Sequence, residues 1–310
     1  MSLINQVRVG LAAIICAVIA SNAMADRGAY LNLARQGWSY ELRTTMVGRN
    51  MAIPVEIHGR NLSGAAICIV GEEPHPLTAD TLATFLDLLN HTFGKRVPMR
   101  FAGADARGCG AGRTVVLRLY SGFPPNVALS ADLNWMNDVY ALGLPRGRGY
   151  AATSPAMAQT FFGRHGQGTH IMVKQPAFRT PDQVERAFYK SILIEELFQT
   201  FTFGMDVLLF EREAAFTSKL QERPTNLSRM SWASHDFMRA LLHSNPRGLC
   251  RFDLFMLHAV ARAPVTETVH PDFIAYIEDE FETLVDLATA TWTDPRFRSV
   301  LDAECDAPGP

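Results

Sequence analysis

Two spacings of apolar residues divide the first half of the chain into strands and one helix. Apolar residues at helical spacing predict a helix over 76–90, with Thr78 as its N-cap and Gly94 as its stop. Alternating or continuous apolar runs predict short strands, over 51–58, 65–70, 97–101 and 114–120.

Glycine and proline weaken this pattern between residues 121 and 168. Within that stretch we expect one helix, over 130–141. The glycine-rich run 163–168 predicts a loop, and residues 169–174 predict another short strand.

Helical spacing dominates the second half. A long apolar helix is predicted to begin with Thr180 as its N-cap and to run to about Phe203, with Gly204 as its stop. Five further helices are predicted, over 211–221, 234–244, 251–263, 271–291 and 294–301. Strands followed by helices indicate an α+β fold, with a small mixed sheet, a long buried helix and a mostly helical C-terminal half.

The first 25 residues have the composition of a cleaved secretory signal. Arg8 precedes an apolar run that ends in the small-residue exit Ala23-Met24-Ala25. We therefore predict a signal peptide over 1–25 and one exported domain over 26–310, with an α+β half over 26–174 and a helical half over 175–310. An uncleaved anchor is the alternative, although the apolar run is too short to span a bilayer.

Charge and hydropathy narrow the choice of partners. The formal net charge is −2, and no basic cluster of the kind that nucleic acid requires is present. No second stretch has the length and apolar character of a membrane span. We expect a periplasmic or secreted protein, without nucleic acid and without a membrane span after signal cleavage, whose partner is an envelope protein or ligand.

Cysteine usage supports an exported protein. Cys68, Cys109, Cys250 and Cys305 follow the predicted signal, and an even number of cysteines in an oxidising compartment predicts two disulfides. Of the three pairings, we favour Cys68 with Cys109 and Cys250 with Cys305, because each joins neighbouring segments of one half. The absence of a C-x-x-C pair argues against a structural zinc site.

The long predicted helix carries polar residues inside an apolar run. Glu195 and Gln199 share one stripe of the helix, and Glu196 lies on its flank. Because a buried unpaired carboxylate is costly, these groups must be paired, protonated or exposed to a cleft. A ligand-binding or catalytic cleft and a purely structural network both fit this requirement.

The order Glu195-Glu196-x-x-Gln199 resembles the zinc-peptidase frame H-E-x-x-H with both histidines replaced. Together with Asp206 it resembles the exported bacterial family called domain of unknown function 2927, over roughly residues 85–265. The resemblance implies a zincin-like architecture whose edge strand, expected at 169–174, lies along the long helix. Glu196 would keep the position of the general base. That family has no assigned activity.

Other candidates for chemistry are weaker. His165 and His170 flank the glycine-rich run and could meet a metal or substrate, although loop histidines are more often simply exposed. Glu195, Glu196 and Asp206 could act as a glycosidase pair, but carboxylates that flank a glycosidic bond usually come from separate elements.

Two functional hypotheses follow. The first is a catalytically degenerate zincin-like domain, in which Glu195, Gln199, Asp206, His165 and His170 form a ligand-binding or structural cluster. The second is an active hydrolase with Glu196 as general base and a non-standard metal site or none. We expect no cofactor, and zinc is disfavoured because it prefers imidazole and thiolate to a carboxylate and an amide.

Overall fold

The computed structural model describes residues 27–39, 65–111, 114–178, 180–210, 214–265 and 270–306. The predicted signal over 1–25 and the predicted strand over 51–58 lie outside the described residues. Within the described ranges, no helix combines the length and apolar character that crossing a bilayer requires.

Five strands form one mixed sheet: β1 (Ala66–Gly71), β2 (Met99–Phe101), β3 (Thr114–Tyr120), β4 (Ala156–Gly163) and β5 (Gly166–Lys174). Their order is β2-β1-β3-β5-β4. The first four strands in that order run parallel, and β4 pairs antiparallel with β5 at the edge. The α+β prediction is therefore confirmed, and strands were correctly predicted at β1, β2 and β3.

Strand β4 is one of the elements that the sequence interpretation missed. Residues 163–168 are not a loop, because they hold the end of β4, a tight turn and the start of β5. Gly166 has φ +125°, which the turn requires and which other residues rarely adopt. The edge strand is consequently β4, whereas the expected edge strand at 169–174 lies inside the sheet between β3 and β4.

Eight helices surround the sheet. They are α1 (27–38), α2 (Pro76–Phe93), α3 (Asn126–Tyr140), α4 (Gln183–Thr202), α5 (His235–Ser244), α6 (Arg251–Arg262), α7 (Pro271–Asp279) and α8 (Phe281–Thr293), among the described residues. Side chains alternate across β1, so Ile67 and Ile69 enter a large core with α2, α4 and α6. Cys68 and Val70 enter a smaller core with α3 on the opposite face.

The N-terminal boundaries of α2 and α4 differ from the prediction. His75, not Thr78, caps α2, because its side chain accepts a hydrogen bond from the Leu77 N–H and Pro76 suits the first helical position. Asp182, not Thr180, caps α4 in a capping box with Glu185.

The C-terminal boundaries were predicted more closely. Gly94 ends α2 with φ +66°, as expected. Helix α4 ends at Phe203, which adopts φ +59°, one residue before the predicted stop at Gly204. Gly204 is instead needed for space, since an added Cβ would lie 2.7 Å from the Trp38 ring.

Three predictions of later helices need correction. The described part of 211–221 is not helical, and its end belongs to a short parallel pair, β6 (Val207–Leu208) with β7 (Gln221–Glu222). The predicted helix over 271–291 is two helices that meet at Glu280. The closing segment is a 3-10 helix over Pro295–Val300.

The favoured disulfide pairing is present. Cys68 on β1 joins Cys109, and Cys250 at the start of α6 joins Cys305. Each bridge closes a loop within one half of the chain, as the sequence interpretation expected.

Candidate functional site

A cleft of about 280 Å³ lies between the edge strand β4 and the helix α4. Ala156, Met157 and Ala158 form its wall on the side of β4, and Leu241 of α5 contributes an apolar side chain. Its ionisable and amide side chains are Glu195, Glu196, Gln199, Asp206 and Glu222. The structure therefore brings together four of the residues selected from the sequence and adds Glu222.

Helix α1 positions the segment that carries Asp206. The Trp38 Nε1–H donates to the Thr202 carbonyl at 2.8 Å, so α1 is fixed to the end of α4. The Met205 N–H then donates to the Gly37 carbonyl at 2.9 Å. These two bonds hold the chain where it leaves α4 and place Asp206 beside Gln199, whose amide donates to the Asp206 carboxyl.

Glu195 is paired from within the chain. Its Oε2 lies 3.2 Å from the Nζ of Lys219, and its Oε1 accepts from the Asn245 amide at 3.0 Å. The Lys219 side chain is fully buried. The partners of Glu195 are therefore a lysine and an asparagine.

The Lys219 ammonium is fully hydrogen-bonded. Besides Glu195, it donates to the Ser191 hydroxyl at 2.8 Å, to the Pro246 carbonyl at 2.6 Å and to the Asn245 side-chain oxygen. An ammonium has three hydrogens to share among these four acceptors. Lys219 is therefore a structural cation and not a proton donor waiting for a substrate.

Asp253 fixes the backbone around Lys219. Its carboxyl accepts from the Ser218 hydroxyl at 2.6 Å, from the Lys219 N–H at 2.9 Å and from the Cys250 N–H at 2.7 Å. Burial, the largest influence, raises the pKa of Asp253 to about 6. This carboxyl holds residues 218–219 at the start of a turn, in which the Gln221 N–H donates to the Ser218 carbonyl at 3.0 Å, and the predicted helix does not form here.

Three carboxyl groups crowd at the mouth of the cleft. Glu195, Asp206 and Glu222 each place one oxygen within 4.8 Å of the others. The pairing of β6 with β7 produces this proximity, because it aligns Leu208 with Glu222. Asp206 is exposed and Glu222 is partly buried.

Crowding and burial favour the protonated forms of these acids. Burial and then the charge of Glu195 raise the pKa of Glu222 to about 7. Loss of solvent and then the charges of Glu195 and Glu222 raise the pKa of Asp206 to about 8. Because Asp206 is exposed, repulsion among the carboxylates is the main cause of its raised pKa, and their short separations support this cause.

Glu196 is the most enclosed acid of the cleft. It is 8% exposed, and its carboxyl accepts from the Ala158 N–H of β4. Burial, followed by the charges of Glu195 and Asp206, raises the pKa of Glu196 well above its usual range. Near neutral pH this carboxyl therefore favours the protonated state.

The donor set is all oxygen. Carboxylate oxygens from Glu195, Asp206 and Glu222 suit calcium, magnesium or manganese better than zinc. The Lys219 ammonium already neutralises Glu195, and a divalent ion bound there would lie close to that positive charge. The expectation that no cofactor binds remains a prediction.

The two histidines do not reach the cleft. The His170 Nε2 lies 2.9 Å from Asp132, which also binds Arg118, and this buried group lies beneath α3 on the other face of the sheet. His165 occupies the exposed turn between β4 and β5, where its N–H donates to the Tyr140 carbonyl. Neither residue belongs with the glutamates of α4.

Lys219, Asn245 and Glu222 were missed by sequence interpretation. The helix predicted over 211–221 gave no reason to place Lys219 beside the glutamates of α4. A usable signal was the polar run Thr217-Ser218-Lys219 beside apolar Leu220, which offers little helical amphipathicity.

Comparisons with known proteins place the chain in no established group. No protein-family model matches it, no curated protein matches it, and no solved structure matches it.

Proposed function

We propose that this protein is a catalytically degenerate, zincin-like exported domain that binds an envelope partner or ligand in the cleft between β4 and α4. The observation that carries the proposal is the buried ion pair between Lys219 Nζ and Glu195 Oε2. In the H-E-x-x-H frame, Glu195 stands where the first metal ligand would be. Here that position holds a carboxylate with a cation supplied by the chain itself.

The arrangement of elements supports the zincin-like part of the proposal. Helix α4 carries its glutamates alongside an antiparallel edge strand, and Glu196 is bonded to that strand at Ala158. The resemblance to domain of unknown function 2927 belongs to the same proposal. The two disulfides suit an oxidising compartment, and we assign the protein to the periplasm after cleavage of a signal peptide.

The state of Glu196 supports binding over catalysis. A general base must be ionised when it takes a proton. Burial and the neighbouring carboxylates hold Glu196 in its protonated form, and the cleft supplies it with no imidazole among the described residues. We therefore expect that replacing the residue at the position of a metal ligand, or at that of the general base, causes no loss of catalytic activity.

The test combines metal content with hydrolysis. The protein is produced by export to the periplasm and purified without chelators or nickel. Its bound zinc, manganese, iron and calcium are then measured by mass spectrometry. Casein and mixed peptides serve as hydrolysis probes for the wild type, for Glu196→Gln and for the exposed control Asp286→Asn. We expect substoichiometric metal, no hydrolysis and unchanged thermal unfolding in all three proteins.

One observation favours the alternative of an active hydrolase. The cleft is open, and Asp206 and Glu222 lie within ligand distance of Glu195. Carboxyls with raised pKa values also act as acids or bases in enzymes. Hydrolysis that Glu196→Gln abolishes and Asp286→Asn preserves, with unchanged melting, would overturn the binding proposal.

A further inference from the structure

The outer edge of β4 faces the same cleft. In an antiparallel ladder, backbone groups point alternately toward the paired strand and away from it. The Ala158 N–H points outward, since it is bonded to the Glu196 carboxyl, and Ala156 and Thr160 share its orientation. Among the described residues, no backbone group pairs with this outer row.

An unpaired edge of this kind is a template for another strand. Strand β4 is eight residues long, and although Glu196 occupies the Ala158 N–H, the outward backbone groups of Ala156, Thr160 and Phe162 are left for an extended chain. Native proteins usually protect such an edge with charge, proline or a covering element. Here α4 approaches the edge but leaves the cleft between them open.

The cleft is short of positive charge. Glu195, Glu196, Asp206 and Glu222 line it, and Lys219 lies behind Glu195 with its hydrogens already shared. No basic side chain lines the cleft within the described part of the chain. The three remaining acids therefore face a space that favours a cation.

Apolar side chains also line the cleft. Apart from the acids, its lining includes Met157 and Ala158 of β4 and Ile192 of α4. Leu241 lines the opposite side. Lysine and arginine combine an apolar stem with a charged head, so apolar side chains beside carboxyl groups suit them.

We propose that the cleft binds an extended peptide segment that adds as a strand to the outer edge of β4 and inserts a lysine or arginine side chain among Glu196, Asp206 and Glu222. This inference rests on the proposed binding function, and it adds the chemical class of the partner. The backbone of the peptide supplies affinity along β4, and its basic side chain supplies specificity.

The ammonium of Lys219 shows how the site neutralises a carboxylate. It pairs with Glu195 from behind the cleft and donates its other bonds to a hydroxyl, a backbone carbonyl and an amide oxygen. A second ammonium or guanidinium entering from the front would meet the acids that Lys219 does not reach. Binding would replace protons that these acids hold in the free protein.

The first experiment selects peptides without assuming their sequence. Random dodecapeptides displayed on phage are selected on the immobilised full domain, and enriched sequences are synthesised. For each enriched peptide we compare the native sequence, a version with the basic residue replaced by norleucine, and versions N-methylated at alternate positions. Calorimetric titration then measures the dissociation constants for the wild type, Glu222→Gln and the control Asp286→Asn.

We expect one basic position to be enriched. Replacing that residue by norleucine, or Glu222 by glutamine, should weaken binding by at least about tenfold, because either change leaves one charge of the pair unmatched. N-methylation should weaken binding in only one of the two alternate sets, since a strand offers its neighbour every second amide. Asp286→Asn should bind like the wild type.

The outcomes separate this inference from the function on which it rests. Peptides that compete with one another for the cleft but show no preference for a basic residue would overturn the charge specificity. They would leave the binding function standing. Selection of no peptide would overturn the peptide partner, while metal content and hydrolysis still decide the proposed function. Cleavage of a selected peptide, abolished by Glu196→Gln, would overturn the non-catalytic function and support the peptide occupant. The variant Asp206→Asn repeats the test if Glu222→Gln fails to fold.

Discussion

The Nζ of Lys219 lies 3.2 Å from Oε2 of Glu195, inside a helix-lined interior where Lys219 is fully buried. The pair joins α4 to the segment that precedes β7, and Asn245 bonds to both partners. A buried charge is tolerated only when it is paired and hydrogen-bonded, and this pair meets both conditions. The ion pair therefore fixes the position of the carboxyl cluster.

Breaking this pair from one side should be costly. In Lys219→Met the carboxylate of Glu195 loses its cation while it stays buried, and we expect the free energy of unfolding to fall by about 3–5 kcal/mol. Urea unfolding at pH 7, followed by circular dichroism, measures the change.

The double variant Lys219→Met with Glu195→Gln is the control for that loss. Removing both charges leaves no uncompensated ion, so it should be more stable than the sum of the single variants predicts. Strictly additive losses would show that the two side chains do not interact in solution.

The carboxyl cluster should make the free energy of unfolding depend on pH between the unfolded and the folded pKa values of its acids. The pKa values of Asp206 and Glu222 are raised to about 8 and about 7, whereas the unfolded values are about 4. The folded protein therefore holds protons that the unfolded chain releases. The free energy of unfolding should fall as pH rises through this window, and it should level off above the folded pKa values.

Urea unfolding between pH 6.5 and 9 measures this effect together with that of Glu196, whose pKa is also raised. Below that range His258 acts in the opposite direction, because burial lowers its pKa to about 4 and the unfolded chain takes up its proton first. The double variant Asp206→Asn with Glu222→Gln should flatten the slope, and Asp286→Asn should keep it. Since Asp206 is exposed, solvent will make the fall smaller than the pKa shift alone implies.

Sequence patterns predicted the fold best in segments where a single spacing of apolar residues dominates. Strand β1 is a continuous apolar run, β3 is apolar except for Thr114 and Arg118, and α4 is apolar around most of its circumference, so each was located. Strand β4 failed because its sequence AMAQTFFG is only partly buried and ends in a glycine-rich turn. Its assignment depends on pairing with β5, which a local pattern does not contain.

The candidate site was only half predictable for a related reason. Glu195, Glu196 and Gln199 share one helix, so spacing alone places them together. Glu222 and Lys219 reach them through the β6–β7 pairing and through Asp253, which lies on α6. Such contacts join segments far apart in sequence, and no local period reports them.

His170 should matter for stability and not for the cleft. It is buried against Asp132 on the far face of the sheet. In His170→Gln we expect the free energy of unfolding to fall by about 1–3 kcal/mol, because a buried carboxylate loses a partner. The exposed His165→Gln should change it by less than about 0.5 kcal/mol. Metal content or peptide affinity that fell in His170→Gln without loss of folded protein would contradict this assignment.

The junction of α1, α4 and the Lys219 segment should be sensitive to a single methyl group. In Gly204→Ala the new Cβ would lie 2.7 Å from the Trp38 ring and 2.9 Å from the Leu220 side chain, closer than packed atoms allow. Relief requires Trp38 or Leu220 to shift, and we expect a loss of about 1–3 kcal/mol in the free energy of unfolding. Gly122→Ala is the matched control, because a Cβ there meets nothing within 4 Å and should leave stability nearly unchanged.

Since Leu220 follows Lys219, the shift should also weaken binding at the cleft, which calorimetry with a selected peptide would measure. Equal stability of the two variants would show that α1 does not pack against the end of α4 in solution.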